Sequence, residues 1–232
     1  MSLIVFSQFN NVIAGFSTKP DKSDVLRADM TAEAASQGKH LVRPCLVHGK
    51  DISCITRDML GSDAYIELDD IDGLVTDIPG VRLTSTHGDC IPLYAFDPVR
   101  KVIGLAHAGW KGTALGIAFE LIQTMKDKYG CDPKDIYTYI GPGIGPCHFE
   151  FGRKEAEEYF FQKKWTENFA LKHENPEKLY LDLKGINKRF FELAGVERIE
   201  ISSDCTCCME DEYYSYRRSK EMDRMLAYIE LK

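Results

Sequence analysis

The chain has 232 residues, 44% of them hydrophobic and 28% charged, enough to bury a sizeable core. Its formal net charge of −7 and pI near 5.4 exclude a protein that grips nucleic acid through a basic surface. They leave room for an anionic small substrate, provided that basic groups gather in one cleft.

The opening segment "MSLIVFSQFN" has no basic leader region, and its apolar stretch runs only from Leu3 to Phe6, so it predicts a strand and not a signal or anchor. No apolar run approaches the roughly 20 residues of a membrane helix. A cytoplasmic protein with no membrane partner is therefore expected. Its eight cysteines (45, 54, 90, 131, 147, 205, 207 and 208) are then expected as thiols, with some serving as metal ligands or reactive groups.

Short β-type runs separated by Gly, Pro and Asp predict strands over Leu3–Phe6, Val12–Phe16, Pro44–Val47, Ala64–Glu67, Gly73–Asp77, Val81–Ser85, Ile91–Phe96 and Val102–Ala106. A helix over Val25–Gln37 interrupts them. The clearest helix is predicted from Thr113 to Tyr129, where Ala114, Ala118, Leu121, Ile122 and Met125 share one face and Gly130 ends the pattern. Ile136–Ile140 predicts another strand, and "GPGIGPC" a tight loop. Helices follow over Arg153–Lys163 and Asp182–Leu193, with Asp182 as the cap of the second. A strand at Arg198–Ser202 and a tyrosine- and arginine-rich tail complete the chain. The expected class is α/β or α+β, with mixed β-sheets flanked by helices in a single domain, residues 1–232.

Three segments share one form, a β-type run that ends at a ligand-type side chain beside glycine or proline. They are "CLVHGKD" with His48, "TSTHGDCIP" with His87, Asp89 and Cys90, and "GLAHAGW" with His107. Zinc takes imidazole nitrogen and thiolate sulfur, and a catalytic site keeps three protein ligands and one open position. His48, Cys90 and His107 supply such a His2Cys set. The same atoms also suit a Cys–His hydrolase, with Cys90 as the thiolate nucleophile and His107 as its base. His48 favours the metal, since a hydrolase more often orients its base with Asn or Asp. Sequence leaves both readings open.

Lys111 lies near a helix start, where backbone N–H groups and the helix dipole favour an anion. Trp110 offers a face for a planar ring. The tail "YYSYRRSKEMDR" gathers aromatics with Arg217, Arg218 and Arg224, whose forks suit phosphate oxygens. "GPGIGPCHFEFG" presents Cys147, His148 and Glu150 on a loop expected to line a pocket. Its H-x-E, with the later Cys205 to Cys208, matches the nucleobase-deaminase signature only poorly, because Asp204 stands where that signature has proline. The acidic stretch "ELDDID" (67–72) is expected to be a solvated loop.

Taken together, "VHG", "GDCIPLYAFDP", "AHAGWKGT", "IGPGIGPCHFEFG" and "YYSYRR" stand in the order and spacing of the YfiH-like family, which the chain resembles from about residue 45 onward. Members were once described as polyphenol oxidases or laccases. They are now described as purine nucleoside phosphorylases, acting on adenosine, inosine, guanosine and methylthioadenosine, with adenosine deaminase activity. The resemblance implies a compact fold of mixed sheets, similar to a toxin deamidase. It also implies zinc at His48, Cys90 and His107, with copper able to replace it, and purine nucleosides and inorganic phosphate as substrates.

Within that frame Asp89 is the expected proton carrier. Lys111 with Arg217 or Arg218 is the expected phosphate cradle, and Trp110 the expected stacking surface. His87, where the family usually has threonine, is an extra ligand, a side chain that orients a ligand, or a variant turn residue. Cys147 is placed beside it as a candidate to support the metal ligands. Lys111 replaces the more usual arginine, keeping the charge and losing the bidentate fork. A multicopper oxidase needs many more histidines, commonly as His-x-His, whereas this chain has six His and no such pair.

Overall fold

The computed structural model describes residues 3–232. In chain order the strands are β1 Leu3–Val5, β2 Val12–Phe16, β3 His40–Pro44, β4 Ile52–Cys54, β5 Tyr65–Leu68, β6 Gly73–Thr76, β7 Val81–His87, β8 Ile91–Asp97, β9 Val102–Ala108, β10 Tyr137–Ile140, β11 Glu150–Gly152, β12 Ala170–Lys172, β13 Lys178–Leu181, β14 Arg198–Ile201 and β15 Met225–Leu231. The helices are α1 Ser23–Ser36, α2 Trp110–Leu115, α3 Ile117–Tyr129, α4 Arg153–Tyr159, α5 Leu183–Leu193 and α6 Tyr216–Ser219.

Two six-stranded sheets, in the orders β1-β2-β15-β7-β3-β5 and β14-β10-β8-β9-β6-β4, carry the fold, and β11-β13-β12 form a small third sheet. Both large sheets mix directions: β7, β3 and β5 run parallel, whereas β15 is antiparallel to β2 and β7. One core, with Phe16, Leu83, Phe96, Ile103, Leu105 and Ile229, fills the space between the two sheets. A second, with Leu93, Ala106, Leu121, Ile122, Met125 and Phe190, lies between the second sheet and helices α3 and α5. Helix α1 covers the outer face of the first sheet through Met30 against Leu41 and Leu226. The order of layers is helix, sheet, sheet, helices, a mixed α+β fold as the sequence predicts.

All seven residues of β8 and all seven of β9 are buried, because both faces of the second sheet are covered. The two-residue alternation of β9 then sorts its side chains. Ala106 faces α3, while Ile103, Leu105 and, by the same parity, His107 face the first sheet. Tyr94 also crosses between the sheets, and its hydroxyl donates to the Gly15 carbonyl at 2.8 Å, so its polar end is satisfied in the core.

The helix expected over 113–129 is two helices. Gly116 sits at φ +88°, a left-handed conformation that glycine adopts without strain, and there the chain turns from α2 into α3. The predicted apolar face is buried as expected at Ala114, Ala118, Leu121, Ile122 and Met125. Each of the larger aliphatic side chains contributes about 1.5–3 kcal/mol by leaving water. Asp182 caps α5, accepting from the Gly185 N–H at 3.0 Å.

Two predictions are corrected. The strand expected over 44–47 lies earlier, at 40–44, and the chain beyond it is drawn out of the sheet around a buried carboxylate, described below. The tail also forms a strand, β15, which the tyrosines and arginines before it conceal.

Candidate metal centre and its cavity

Three loops converge where the two large sheets meet. His48 comes from the segment after β3, Cys90 from the turn between β7 and β8, and His107 from the end of β9. One ligand-type atom from each lies within 4.8 Å of the other two. The His48 and His107 rings sit 5.0 Å apart, nearly perpendicular at 81°. In the ladder Ile91 pairs with Ala108, so Cys90 and Gly109 meet at the ends of adjacent strands. A Cβ on Gly109 would stand 2.8 Å from His48 Cδ2 and 3.2 Å from Cys90 Sγ, so the cluster closes only over glycine.

Asp72 organises this geometry. It is fully buried at the start of β6, and its carboxylate accepts the backbone N–H groups of Val47 (3.2 Å), His48 (3.0 Å) and Gly49 (2.6 Å). Its Oδ1 also accepts from His107 Nδ1 at 3.0 Å. A carboxylate so placed only accepts, so Nδ1 carries the proton and Nε2 is left to face the cluster. The nest of N–H groups holds His48 at φ +61°, a conformation that costs a non-glycine residue roughly 1–3 kcal/mol. The stretch 67–72 is therefore not a solvated loop throughout: its last residue is the anchor of the site. No feature of the sequence marks it off from its neighbours Asp69 and Asp70.

Burial opposes charge on these groups, and their mutual attraction overrides it. Burial alone would raise the Cys90 thiol, but the charge and hydrogen bond of His107, with a further bond from His48, bring it down to about 6. Burial would lower His107, but the Cys90 thiolate and the Asp72 carboxylate raise it to about 9. Asp72 itself is held below the ordinary carboxylate range against its own burial by His107 and the backbone donors. The chemistry is that of a ready thiolate beside an oriented imidazole. It fits a divalent cation of the zinc class, with the carboxylate-to-histidine bond that metal-bound histidines ordinarily make.

The cluster lies in the wall of a cavity of about 470 Å³, the size of a small-molecule site. Trp110, Phe149, Tyr216 and Leu183 supply apolar and aromatic surface, and Asp89, Arg217 and Arg224 supply charge. A wider depression of about 750 Å³ around Arg153, Glu157 and Lys172 shares no lining residue with this cavity.

The expected site residues distribute unevenly. Asp89 faces the cavity with both oxygens engaged, one by Thr206 Oγ1 at 2.8 Å and one by the Arg217 backbone N–H at 2.7 Å. The Arg217 guanidinium donates to the His148 and Glu150 carbonyls and lies over Phe149. Trp110 lines the cavity while packing on Phe151 and Tyr159. His87 is buried, with Nε2 on Ser85 Oγ at 2.6 Å and Nδ1 on the Cys90 carbonyl at 3.1 Å, so both nitrogens are taken. Its ring packs 5.2 Å from that of His107.

Three expected residues lie elsewhere. Lys111 is exposed, with its ammonium over the Trp110 ring at 5.5 Å, and does not line the cavity. Arg218 braces the backbone, donating to the Thr206, Cys207 and Tyr213 carbonyls. Cys147 sits in a second donor cluster with His148, Cys205 and Cys208. Arg224, one of several tail arginines in the sequence, takes the place in the cavity wall that Lys111 and Arg218 do not.

With this geometry in hand, a family profile described as multi-copper polyphenol oxidoreductase laccase matches residues 3–232. The chain belongs to that YfiH-like family. It is 36% identical over 189 residues to "Purine nucleoside phosphorylase YlmD" of Geobacillus stearothermophilus, covering 79% of this chain and 69% of the relative. It is 35% identical over 159 residues to "Purine nucleoside phosphorylase LACC1" of Homo sapiens, covering 66% of this chain but 36% of that longer protein. The crystal structure of the Bacillus licheniformis hypothetical protein YfiH superposes with a TM-score of 0.84 at 29% identity, over 100% of this chain and 97% of that one. The family's description names several coppers, whereas among the described residues the wall of this cavity brings together one His2Cys set.

Proposed function

We propose that this protein is a zinc-dependent purine nucleoside phosphorylase. The observation that carries the reading is the His48–Cys90–His107 cluster in the wall of an aromatic cavity that also holds two arginines, in a chain whose relatives are named as phosphorylases. His48, Cys90 and His107 would hold the ion, which supplies Lewis-acid polarisation at its open position when bound. The protein's own groups do the remainder. Trp110, Phe149 and Tyr216 give a purine ring apolar faces. Arg217 and Arg224 bring positive charge to bind and orient inorganic phosphate, whose oxygen bonds to the ribose C1′ as the electron pair of the glycosidic bond leaves with the purine. Asp89 orients the Arg217 segment and has lone pairs left to take up a proton from a bound substrate.

Inosine with phosphate should yield hypoxanthine and ribose 1-phosphate, with no release when phosphate is omitted. Hypoxanthine released at the same rate without phosphate would overturn phosphorolysis. Adenosine deamination at the same cavity belongs to the proposal as a second activity, read as ammonia release.

A second reading rests on the alignment of Cys90, His107 and Asp72, which is also that of a cysteine hydrolase with an oriented base. Metal removal separates the two. A phosphorylase of this kind loses turnover in chelator, whereas a thiol hydrolase keeps it and is inactivated by alkylation of Cys90. Among the described residues no helix is long and apolar enough to cross a membrane; a cytoplasmic location belongs to the proposal.

A further inference from the structure

A second group of donors lies outside the cavity, where the loop after β10 meets the loop after β14. Cys147, His148, Cys205 and Cys208 each bring one ligand-type atom within 4.8 Å of the others. His148 Nδ1 is 3.3 Å from Cys147 Sγ, 3.3 Å from Cys208 Sγ and 3.9 Å from Cys205 Sγ, and Cys147 Sγ lies 3.5 Å from Cys208 Sγ. Zinc bonds of about 2.3 Å to sulfur and 2.0–2.1 Å to nitrogen, set tetrahedrally, give edges of about 3.8 Å between sulfurs and 3.5 Å between sulfur and nitrogen. The three sulfur–nitrogen separations bracket the expected edge, and the sulfur–sulfur separation lies about 0.3 Å inside its own.

The backbone is shaped for the same purpose. Cys205-Thr206-Cys207-Cys208 has the two-residue spacing of a zinc knuckle, and its turn is closed by the Cys208 N–H on the Cys205 carbonyl at 3.0 Å. The Gly145 N–H donates to Cys205 Sγ at 3.2 Å, a contact that favours thiolate. Behind the sulfurs the buried Lys184 ammonium donates to the Ser202 and Asp204 carbonyls, and its charge reaches Cys205 and Cys147. A zinc with three thiolates and a neutral imidazole carries one net negative charge, which that ammonium offsets.

We propose that Cys147, His148, Cys205 and Cys208 form a second, structural zinc site. The ion binds four protein donors and displaces the three thiol protons, with His148 ligating through Nδ1. The site holds the 141–149 loop to the 205–208 turn, which are otherwise joined by the bridge of Gly143 with Cys205. Both halves reach the cavity: Thr206 holds Asp89, and the His148 carbonyl holds Arg217. The second ion thus sets the wall that faces the first, without touching substrate.

The test uses the full chain with Cys90→Ala, purified under reducing conditions in the presence of zinc and then desalted. Elemental analysis should find about one zinc per chain. Adding Cys147→Ser and Cys208→Ser together should abolish it, whereas adding Cys207→Ser should leave it in place. Zinc content unchanged by the Cys147/Cys208 pair, or absent from the Cys90→Ala protein, overturns the site. The wild-type protein gives an independent reading. Cys147 and Cys208 are exposed thiols, so they should alkylate slowly with zinc bound and quickly after chelation, as mapped by peptide mass. Equal rates in both states, or a Cys147–Cys208 disulfide in the reduced preparation, overturn it as well.

Discussion

The two donor clusters use the same atom types under opposite conditions. His48, Cys90 and His107 supply three donors at a cavity, with His107 buried in the core and its far nitrogen fixed by Asp72. Cys147, His148, Cys205 and Cys208 supply four donors near the surface, three of them exposed, and are positioned by backbone turns instead of a buried carboxylate. Three donors leave a coordination position for substrate, whereas four close the shell. The difference lies in what each cluster is attached to. The first joins the ends of core strands, and the second joins two loops.

The largest separation between them is expected in turnover. Cys90→Ala should cut phosphorolysis by about a thousandfold, the several kcal/mol that a Lewis acid supplies. Cys208→Ser should act through thermal stability and through the positions of Asp89 and Arg217, with a smaller loss of rate. Measured kcat beside Tm for the two variants checks this, and equal losses of kcat at unchanged Tm would erase the distinction.

Asp72→Asn tests whether orientation matters as much as ligation. It should weaken metal binding at the first cluster by roughly 10- to 100-fold, because the partner that fixes the His107 ring is weakened. Competition with a chromophoric chelator reads this directly, and unchanged affinity would reduce Asp72 to a backbone anchor for His48.

The electrostatics of the first cluster give a pH test on metal-free protein. Cys90 should alkylate with a midpoint near pH 6 instead of the ordinary thiol value near 9. Its lowered pKa contributes stability that is present above the ordinary value and lost as pH falls through about 6. The raised His107 pKa contributes stability that is present below 6.5 and lost as pH rises through about 9. The two slopes oppose each other between 6.5 and 9, so Tm should change little across that window. A midpoint near 9 for Cys90, with a steep Tm profile, would show that the pair is not formed.

The smallest effects concern the cavity rim. Arg224→Ala should raise the KM for phosphate by about tenfold, the loss of one charge-assisted contact. Lys111→Ala should change it by less than about twofold, since that ammonium is exposed and turned over Trp110. A large effect at Lys111 would restore the phosphate role that sequence suggests for it.

What sequence made legible here follows the range of the interaction. The apolar spacing of α3 and the glycine and proline breaks around β7, β8 and β9 depend on neighbours a few residues away, and they appear where expected. His48, Cys90 and His107 can be singled out from short β-type segments, and the fold brings their donor atoms together although only His107 lies within a strand. Asp72 cannot be singled out, because its partners stand 23 to 35 residues away and nothing in "ELDDID" distinguishes a buried carboxylate from its solvated neighbours. The arginines failed for a related reason. Composition marks the tail as basic, but only the fold decides that Arg224 lines the cavity, with one end of its guanidinium on the Glu221 and Asp223 carbonyls, while Arg218 is drawn to those of Thr206, Cys207 and Tyr213.

The place of β15 has a consequence for how the molecule assembles. Residues 225–231 do not extend the first sheet at its rim; they fill the slot between β2 and β7, pairing Leu231 with Val12 and Met225 with His87. Until that late segment has left the ribosome, β2 and β7 each present an open hydrogen-bonding edge, and the core between the sheets lacks one side. Contacts this distant in sequence are slow to form, so folding should wait on the last strand. The nascent chain is then most vulnerable to mispairing in the interval before residues 225–231 emerge.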